Sequence, residues 1–567
     1  MRRSWLVGLA AVGALLAAGA PVRAADAPFN GTWKVTVLTR GQELSVCIVQ
    51  IGGSADRPRG RFVAGLAGSP LQSATFEGLS TKGRTVRFTL KGKDAVFVVQ
   101  AIAPRGEARP KRLLGTLSLS GEIEPLVLEP TDDKELPPLQ KAGRKMEGLT
   151  DLQGALDLKG AERVAKLKAL REKYAGKPLG LLVGQLLLHV QAADKAAPEA
   201  LRDAAERYLK EAAGYGPELE ANAAYQAAQA AAGVEKGSPL ALEYARKAVQ
   251  LVGDDAPPAR TAAVLKVLVK ALRGAGKADE ARAAEARLDK AEGTLDKEFL
   301  KTAIPFKPAP FDGRKGDSTR VVLVELFTGA QCPPCVAADV AFDAALETFK
   351  PADVVFLEHH LHVPRPDPLT NADTEARSEY YGKEIEGTPT VLIDGKLTAP
   401  LGGFRRDCKV SYEALRKAVG KELETAKGAD LKLSVRRDGD KLSLEARVSG
   451  LKKTGAKVRL RFVLVEEVVR YTGRNGQRLH HHVVRAFPGG TRGQALTGPS
   501  ATKTATVTLA ELRKALEDYL SEANKKRPFL DDERPLRLES LKVVAFVQDD
   551  EDKSVLQAAQ ADVSAAK

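Results

Sequence analysis

The chain has 567 residues, 87 basic and 73 acidic, for a formal charge of +14. That length exceeds what one hydrophobic core supports, so three or four domains are expected. The charge suits an anionic surface or acidic partners. Only 5% of residues are aromatic and no nucleic-acid module is visible, so a solvated basic surface is the simpler reading and no nucleic-acid partner is expected. Just four cysteines, Cys47, Cys332, Cys335 and Cys408, exclude a disulfide scaffold.

Residues 1–24 have the form of a cleaved secretory signal. Arg2 and Arg3 form its charged start, Trp5 to Ala20 its apolar run, and Val22-Arg23-Ala24 its small-residue cleavage site. The run is too short and too rich in Ala and Gly for a lasting anchor. The mature chain is therefore expected in a bacterial periplasm or similar exported compartment, with no integral membrane segment. Without Arg2, Arg3 and Arg23, 84 basic residues face 73 acidic ones, a net charge of +11.

Residues 26–130 predict a β-meander, closed or nearly closed into a small barrel. Short alternating segments such as TWKVTVL, TVRFTL and AVFVVQA are separated by Gly, Pro, Asp and Ser. The opening FNGTWKVTV, with Gly31 and Trp33, resembles the first strand of lipocalin-type barrels. Trp33 reads as a plug at the barrel end and Cys47 as a small buried hydrophobe. Residues 131–150 read as a polar linker.

From 151 to 300 the composition shifts to Ala, Leu, Lys and Glu. Seven helical segments are predicted near 160–174, 179–195, 197–213, 218–232, 239–252, 259–274 and 277–292. The stretch from Ser238 to Leu288 resembles tetratricopeptide-type helical hairpins, and the resemblance implies a concave face for a protein partner. A generic helical bundle is the alternative. The Pro- and Gly-punctuated stretch 304–317 reads as a linker.

Residues 318–427 alternate strand and helix, which predicts a small α/β sheet. Strands are expected at 320–327, 353–359 and 390–394, and helices from 333, over 371–383 and over 411–426. The apolar run VVLVELF leads into Cys332-Pro333-Pro334-Cys335 and then a helix. Taken alone, a C-x-x-C pair is a redox dithiol, half of a zinc site or a structural disulfide. Zinc lacks a second pair here, although His359, His360 and His362 are near. A bridge closing so short a loop constrains little chain entropy.

Residues 428–567 return to strands, with one helix at ALEDYLSEANK. An immunoglobulin-like β-sandwich is expected, with Asn475-Gly476 as a type I′ hairpin turn. His480 to His482 on one strand would face alternate sides, which argues against a metal site made by those three together.

The strand–dithiol–helix order, Thr388-Pro389 before a strand, and Glu325 within the preceding strand together resemble the thioredoxin fold family. The resemblance covers about residues 318–427. It implies a catalytic dithiol at Cys332 and Cys335, a cis bond before Pro389 lying against it, and substrate backbone pairing at Thr388. Cys332, the better-exposed sulfur, would attack a substrate disulfide and Cys335 would resolve the mixed disulfide.

Pro333 suits the first helical turn; with Pro334 it stiffens the loop and borders the substrate. Both prolines remove N–H groups, so only a modest lowering of the Cys332 thiol is expected. Glu325 resembles the family's buried acid, which the resemblance implies is the proton acceptor for the resolving thiol, but lies seven residues before Cys332 instead of six. One residue of slip would turn it to the other face unless a bulge restored it.

Departures from the family are Gln331 where a Trp is usual, and a long loop after His359 and His360. VELFTGAQCPPC looks like a less characterised exported branch. The expected whole is multidomain α+β: a thiol–disulfide oxidoreductase acting on protein thiols and disulfides, without metal or organic cofactor. A non-catalytic envelope scaffold is the alternative.

Overall fold

Alternating apolar and polar residues fold the chain after Gly31 into eight antiparallel strands. They are β1 (Gly31–Thr39), β2 (Gln42–Ser54), β3 (Arg57–Gly65), β4 (Thr75–Lys82), β5 (Thr85–Lys91), β6 (Val96–Ile102), β7 (Leu113–Leu119) and β8 (Glu122–Pro130). A computed structural model of the chain describes residues 28–564 apart from 40, 55, 94, 108, 120–121, 235–237 and 399. The signal segment expected over 1–24 lies outside the described residues. The chain divides into two compact units, residues 1–295 and 296–567.

In the first unit the strand order is β3-β2-β1-β8-β7-β6-β5-β4, a nearly closed barrel-like sheet. Trp33, Val35, Cys47, Val86, Phe88, Val99 and Leu126 fill its interior. Trp33 is buried, and its indole Nε1 donates to the carbonyl of Phe29 at 2.7 Å, the arrangement of a plug. The expected linker 131–150 is folded. It holds α1 (Leu139–Ala142), then β9 (Gly143–Lys145), which pairs with β2.

The helices are α2 (Leu149–Leu156), α3 (Gly160–Lys173), α4 (Pro178–Ala193), α5 (Pro198–Tyr215), α6 (Pro217–Ala232), α7 (Ser238–Val252), α8 (Pro258–Gly274) and α9 (Ala278–Leu300). Pro at the first turn of α4, α5, α6 and α8 sets their starts. Small alanines such as Ala204, Ala223, Ala227 and Ala245 are buried where the helices meet. Leu38 and Val127, on the outer face of the barrel sheet, belong to this same helical core. Barrel and array, expected as separate domains, fall in one compact unit, the barrel keeping its own interior while the array packs on the outer face of its sheet.

The second unit is built on one nine-stranded mixed sheet. Its elements in chain order are β10 (Val322–Thr328), α10 (Val336–Thr348), β11 (Val354–His360), α11 (Ala372–Tyr381), β12 (Thr390–Ile393), β13 (Lys396–Leu397) and α12 (Cys408–Leu423). There follow β14 (Asp430–Asp438), β15 (Lys441–Ser449), β16 (Gly455–Arg470), β17 (Leu479–Ala486), β18 (Gln494–Leu496), β19 (Ala501–Thr508), α13 (Leu509–Lys526), β20 (Leu541–Asp549) and β21 (Val555–Asp562).

The main sheet runs β13-β12-β10-β11-β17-β16-β20-β21, with β18 on β16; β14-β15-β19 form a second, small sheet. Strands β10 and β11 are parallel, and β11 meets β17 at Glu358 and Val483. The boundary expected at 427/428 is thus bridged by a continuous sheet, and a separate immunoglobulin-like sandwich over 428–567 is not what forms. Leu442, Leu444 and Ala446 of β15, with Leu516 and Leu520 of α13, instead cover Leu460 and Phe462 of β16. The stretch 304–317 lies on this unit, with Ile304 and Phe306 packed near α10 and Phe311 near Phe349. Among the described residues no helix is long and apolar enough to cross a membrane.

Candidate functional site

The β10 sequence is apolar on both faces because both are covered. Val322, Val324 and Leu326 face Ala338, Phe342 and Ala345 of α10 and Leu415 and Val419 of α12. After β10, Cys332 precedes a 3₁₀ turn, Pro333–Cys335, which runs directly into α10. Cys332 and Cys335 form a disulfide, with sulfurs 2.12 Å apart and Cα atoms 5.4 Å apart. The Cys332 N–H donates to the Gly329 carbonyl at 2.9 Å, and the Cys335 N–H to the Cys332 carbonyl at 3.1 Å.

The peptide bond between Thr388 and Pro389 is cis, as is that between Val363 and Pro364. The Thr388 hydroxyl lies 3.4 Å from Cys332 Sγ, and its carbonyl 3.7 Å. A Cβ on Gly402 would meet Pro389 Cγ at 3.0 Å and the Pro334 carbonyl at 3.4 Å, so a residue without a side chain lets that loop close over the site. The structure therefore gathers Cys332, Cys335, Pro333, Pro334, Thr388 and Pro389 in one place.

Two expectations change. Pro333 and Pro334 are exposed, but Cys332 is only 2% exposed and Cys335 fully buried, so neither sulfur is open. Beside them lies a shallow hollow of about 490 Å³ lined by Pro333, Val336, Phe404, Arg405, Arg406, Asn475 and Gly476.

Glu325 does not join the dithiol. β10 pairs with β11 and β12 without a bulge, so Glu325 points with Leu323 and Phe327 to the sheet face opposite α10. There it accepts from Arg377 twice, Nε to Oε1 and Nη2 to Oε2, both at 2.8 Å. The Tyr381 hydroxyl donates to it at 2.6 Å, and His359 Nε2 lies 3.1 Å away. Burial alone would raise this carboxyl. The Arg377 guanidinium, with the His359 hydrogen bond, holds it well below the usual range. Glu325 is half of a buried structural ion pair.

An acid that sequence reasoning missed is Asp339. It sits four residues after Cys335, hence on the same face of α10. It is buried; the Thr328 hydroxyl donates to Oδ1 at 2.6 Å and Asn475 Nδ2 to Oδ2 at 3.2 Å. Burial, reinforced by the charge of Glu358, raises its carboxyl well above the ordinary value. The one signal in the sequence was an acid amid the apolar run VAADVAF.

The loop before Cys332 is anchored by polar groups. Ala330 N–H donates to Asp367 Oδ2 at 2.6 Å, and Gln331 Nε2 to the Tyr471 hydroxyl at 2.9 Å. Asn475 N–H donates to the Ala330 carbonyl at 3.0 Å. Asn475-Gly476 thus serves as a wall of the site. It lies in the 471–478 connection between β16 and β17 with only Gly476 at positive φ, so the expected two-residue type I′ turn does not form. Cys408, the first residue of α12, is buried and its thiol is raised by burial; Cys47 is likewise raised inside the barrel.

No family model and no curated protein matches the chain. Among solved structures it is similar to HBP35 of Porphyromonas gingivalis at 16% identity, covering 45% of this chain and 78% of that one. At a TM-score of 0.33 this likeness carries no argument.

Proposed function

We propose that this chain is an exported thiol–disulfide oxidoreductase of thioredoxin-like type over residues 318–427, acting on protein thiols and disulfides. The observation that carries the reading is the Cys332–Cys335 disulfide at the head of α10, with Thr388 against Cys332 Sγ. In the oxidised form a substrate thiolate attacks Cys332, breaks the Cys332–Cys335 bond and forms a mixed disulfide, expelling the Cys335 thiolate. A second substrate thiolate then displaces Cys332, so two electrons pass from substrate to protein. The reverse sequence reduces a substrate disulfide.

Asp339 takes the role that the resemblance gave to Glu325. Its carboxyl raised by burial and standing one helical turn beyond Cys335, it supplies the proton to the departing Cys335 thiolate and takes it back on resolution. Thr388 and the two prolines border the substrate, and the helical array over 151–300 holds a protein partner.

Insulin reduction tests the reading: wild type is active, and Cys332→Ser loses activity to the level of the uncatalysed reaction. Equal activity in both would refute it. The burial of Cys332 favours a second reading, a scaffold whose dithiol module does not turn over. That reading predicts no insulin reduction by wild type at all.

A further inference from the structure

Apart from the dithiol, the second unit holds a buried cluster of Glu358, His360 and His480, brought together by adjacent strands β11 and β17. Glu358 and His360, two apart on β11, share one face. Glu358 Oε1 lies 3.0 Å from His360 Nε2 and 3.6 Å from His480 Nδ1, and the three ligand atoms all fall within 4.8 Å of one another. With zinc–nitrogen and zinc–oxygen bonds of about 2.0–2.2 Å, donors at tetrahedral angles stand roughly 3.3–3.5 Å apart. The two measured separations bracket that value.

A second, independent observation is how each imidazole is held from behind. His360 Nδ1 meets Asp367 Oδ2 at 2.9 Å, and Asp367 is already an acceptor for the N–H groups of Ala330 and Leu369. His480 Nε2 meets the Tyr471 carbonyl, which can only accept, at 3.0 Å. Both outward nitrogens are therefore donors, and in the neutral rings both inward nitrogens are lone pairs aimed at Glu358 Oε1. A carboxylate or carbonyl behind each histidine is the outer-shell arrangement of metal sites. One proton can close the 3.0 Å contact. The 3.6 Å contact is too long for an N–H···O bond, and a single cation between the three atoms would engage both nitrogens and the carboxylate oxygen.

We propose that Glu358 Oε1, His360 Nε2 and His480 Nδ1 bind one divalent transition-metal ion of the zinc class. Two imidazoles and a carboxylate suit such borderline ions and leave a fourth position to another donor. The outer-shell residues Asp367 and Tyr471 also hold Ala330 and Gln331, next to Cys332. The site is thus tied to the dithiol loop, but it does not depend on that loop's chemistry.

The test uses untagged full-length chain carrying Cys332→Ser and Cys335→Ser, so that thiolates cannot bind the ion. It is loaded with Zn²⁺ or Co²⁺ and desalted. Expected are one retained ion per chain and a tetrahedral Co²⁺ d–d spectrum without a thiolate charge-transfer band. Glu358→Gln and His480→Gln should abolish retention, and Asp367→Asn should weaken binding about 10–100-fold. Loss of the ion on desalting, or Glu358→Gln binding as tightly as its parent, overturns the proposal. Should the buried variants fail to fold, the Co²⁺ spectrum of the parent and the Asp367→Asn affinity decide.

Discussion

Replacing Glu325 separates a structural from a catalytic acid. Arg377 is fully buried, and its only ionic partner among the described residues is Glu325; Tyr381 and Gln548 add neutral hydrogen bonds. Glu325→Gln keeps the shape but leaves the guanidinium uncompensated, a loss of about 3–5 kcal/mol for a broken buried pair. For a unit of this size each kcal/mol moves Tm by about 2–4 °C, so a fall of roughly 6–20 °C is expected in thermal melts near pH 7.

The pH dependence has a definite sign. The folded carboxyl is depressed, so its contribution is complete above the unfolded value of 4.5 and is lost as pH falls below it. The gap between wild type and variant should therefore close in acid. Insulin reduction per folded molecule should stay within about twofold of wild type, because the side chain faces away from α10. A Tm within 2 °C of wild type, by contrast, or a folded variant without activity, refutes this assignment.

Three further outcomes follow from the same geometry. Asp339→Asn should slow reduction of the Cys332–Cys335 disulfide by a small thiol at least about tenfold, as loss of a general acid requires. It should also remove a stability slope: a raised carboxyl makes wild type less stable as pH climbs above 3.8, which paired urea melts at pH 5 and pH 8 would show. Trp33→Ala should cost about 3–5 kcal/mol by leaving a cavity in the barrel end, read as a lower urea midpoint. Oxidised native protein should give no fast thiol with Ellman's reagent, since Cys47 and Cys408 are buried, and two more thiols after mild reduction.

Local pattern was enough for the local elements. The 3.6-residue spacing and the Pro and Gly breaks located α3 to α8 within one or two residues, and alternation located the barrel strands. Pairing between distant segments was not legible. The contact of β11 with β17 joins Glu358 to Val483, over a hundred residues apart, and no short window reports it. Hence the sheet shared across residue 427 was missed, and so was the meeting of His360 with His480. The face of Glu325 was open for a related reason: a period of two fixes sides only once pairing is known to be free of bulges. The Cys332–Cys335 pair was legible because it lies within four consecutive residues; its meeting with Thr388-Pro389, over fifty residues further on, was expected only from the resemblance. Asp339 was not, because its environment comes from Thr328, Asn475 and Glu358.

The most direct measurement of the central claim is trapping on Cys335→Ser. Incubated folded with a disulfide-bonded peptide and analysed by mass spectrometry, this variant should accumulate one mixed disulfide, at Cys332. No adduct on the folded chain, with labelling only after denaturation, would show a sealed sulfur that does not exchange, and would contradict the account.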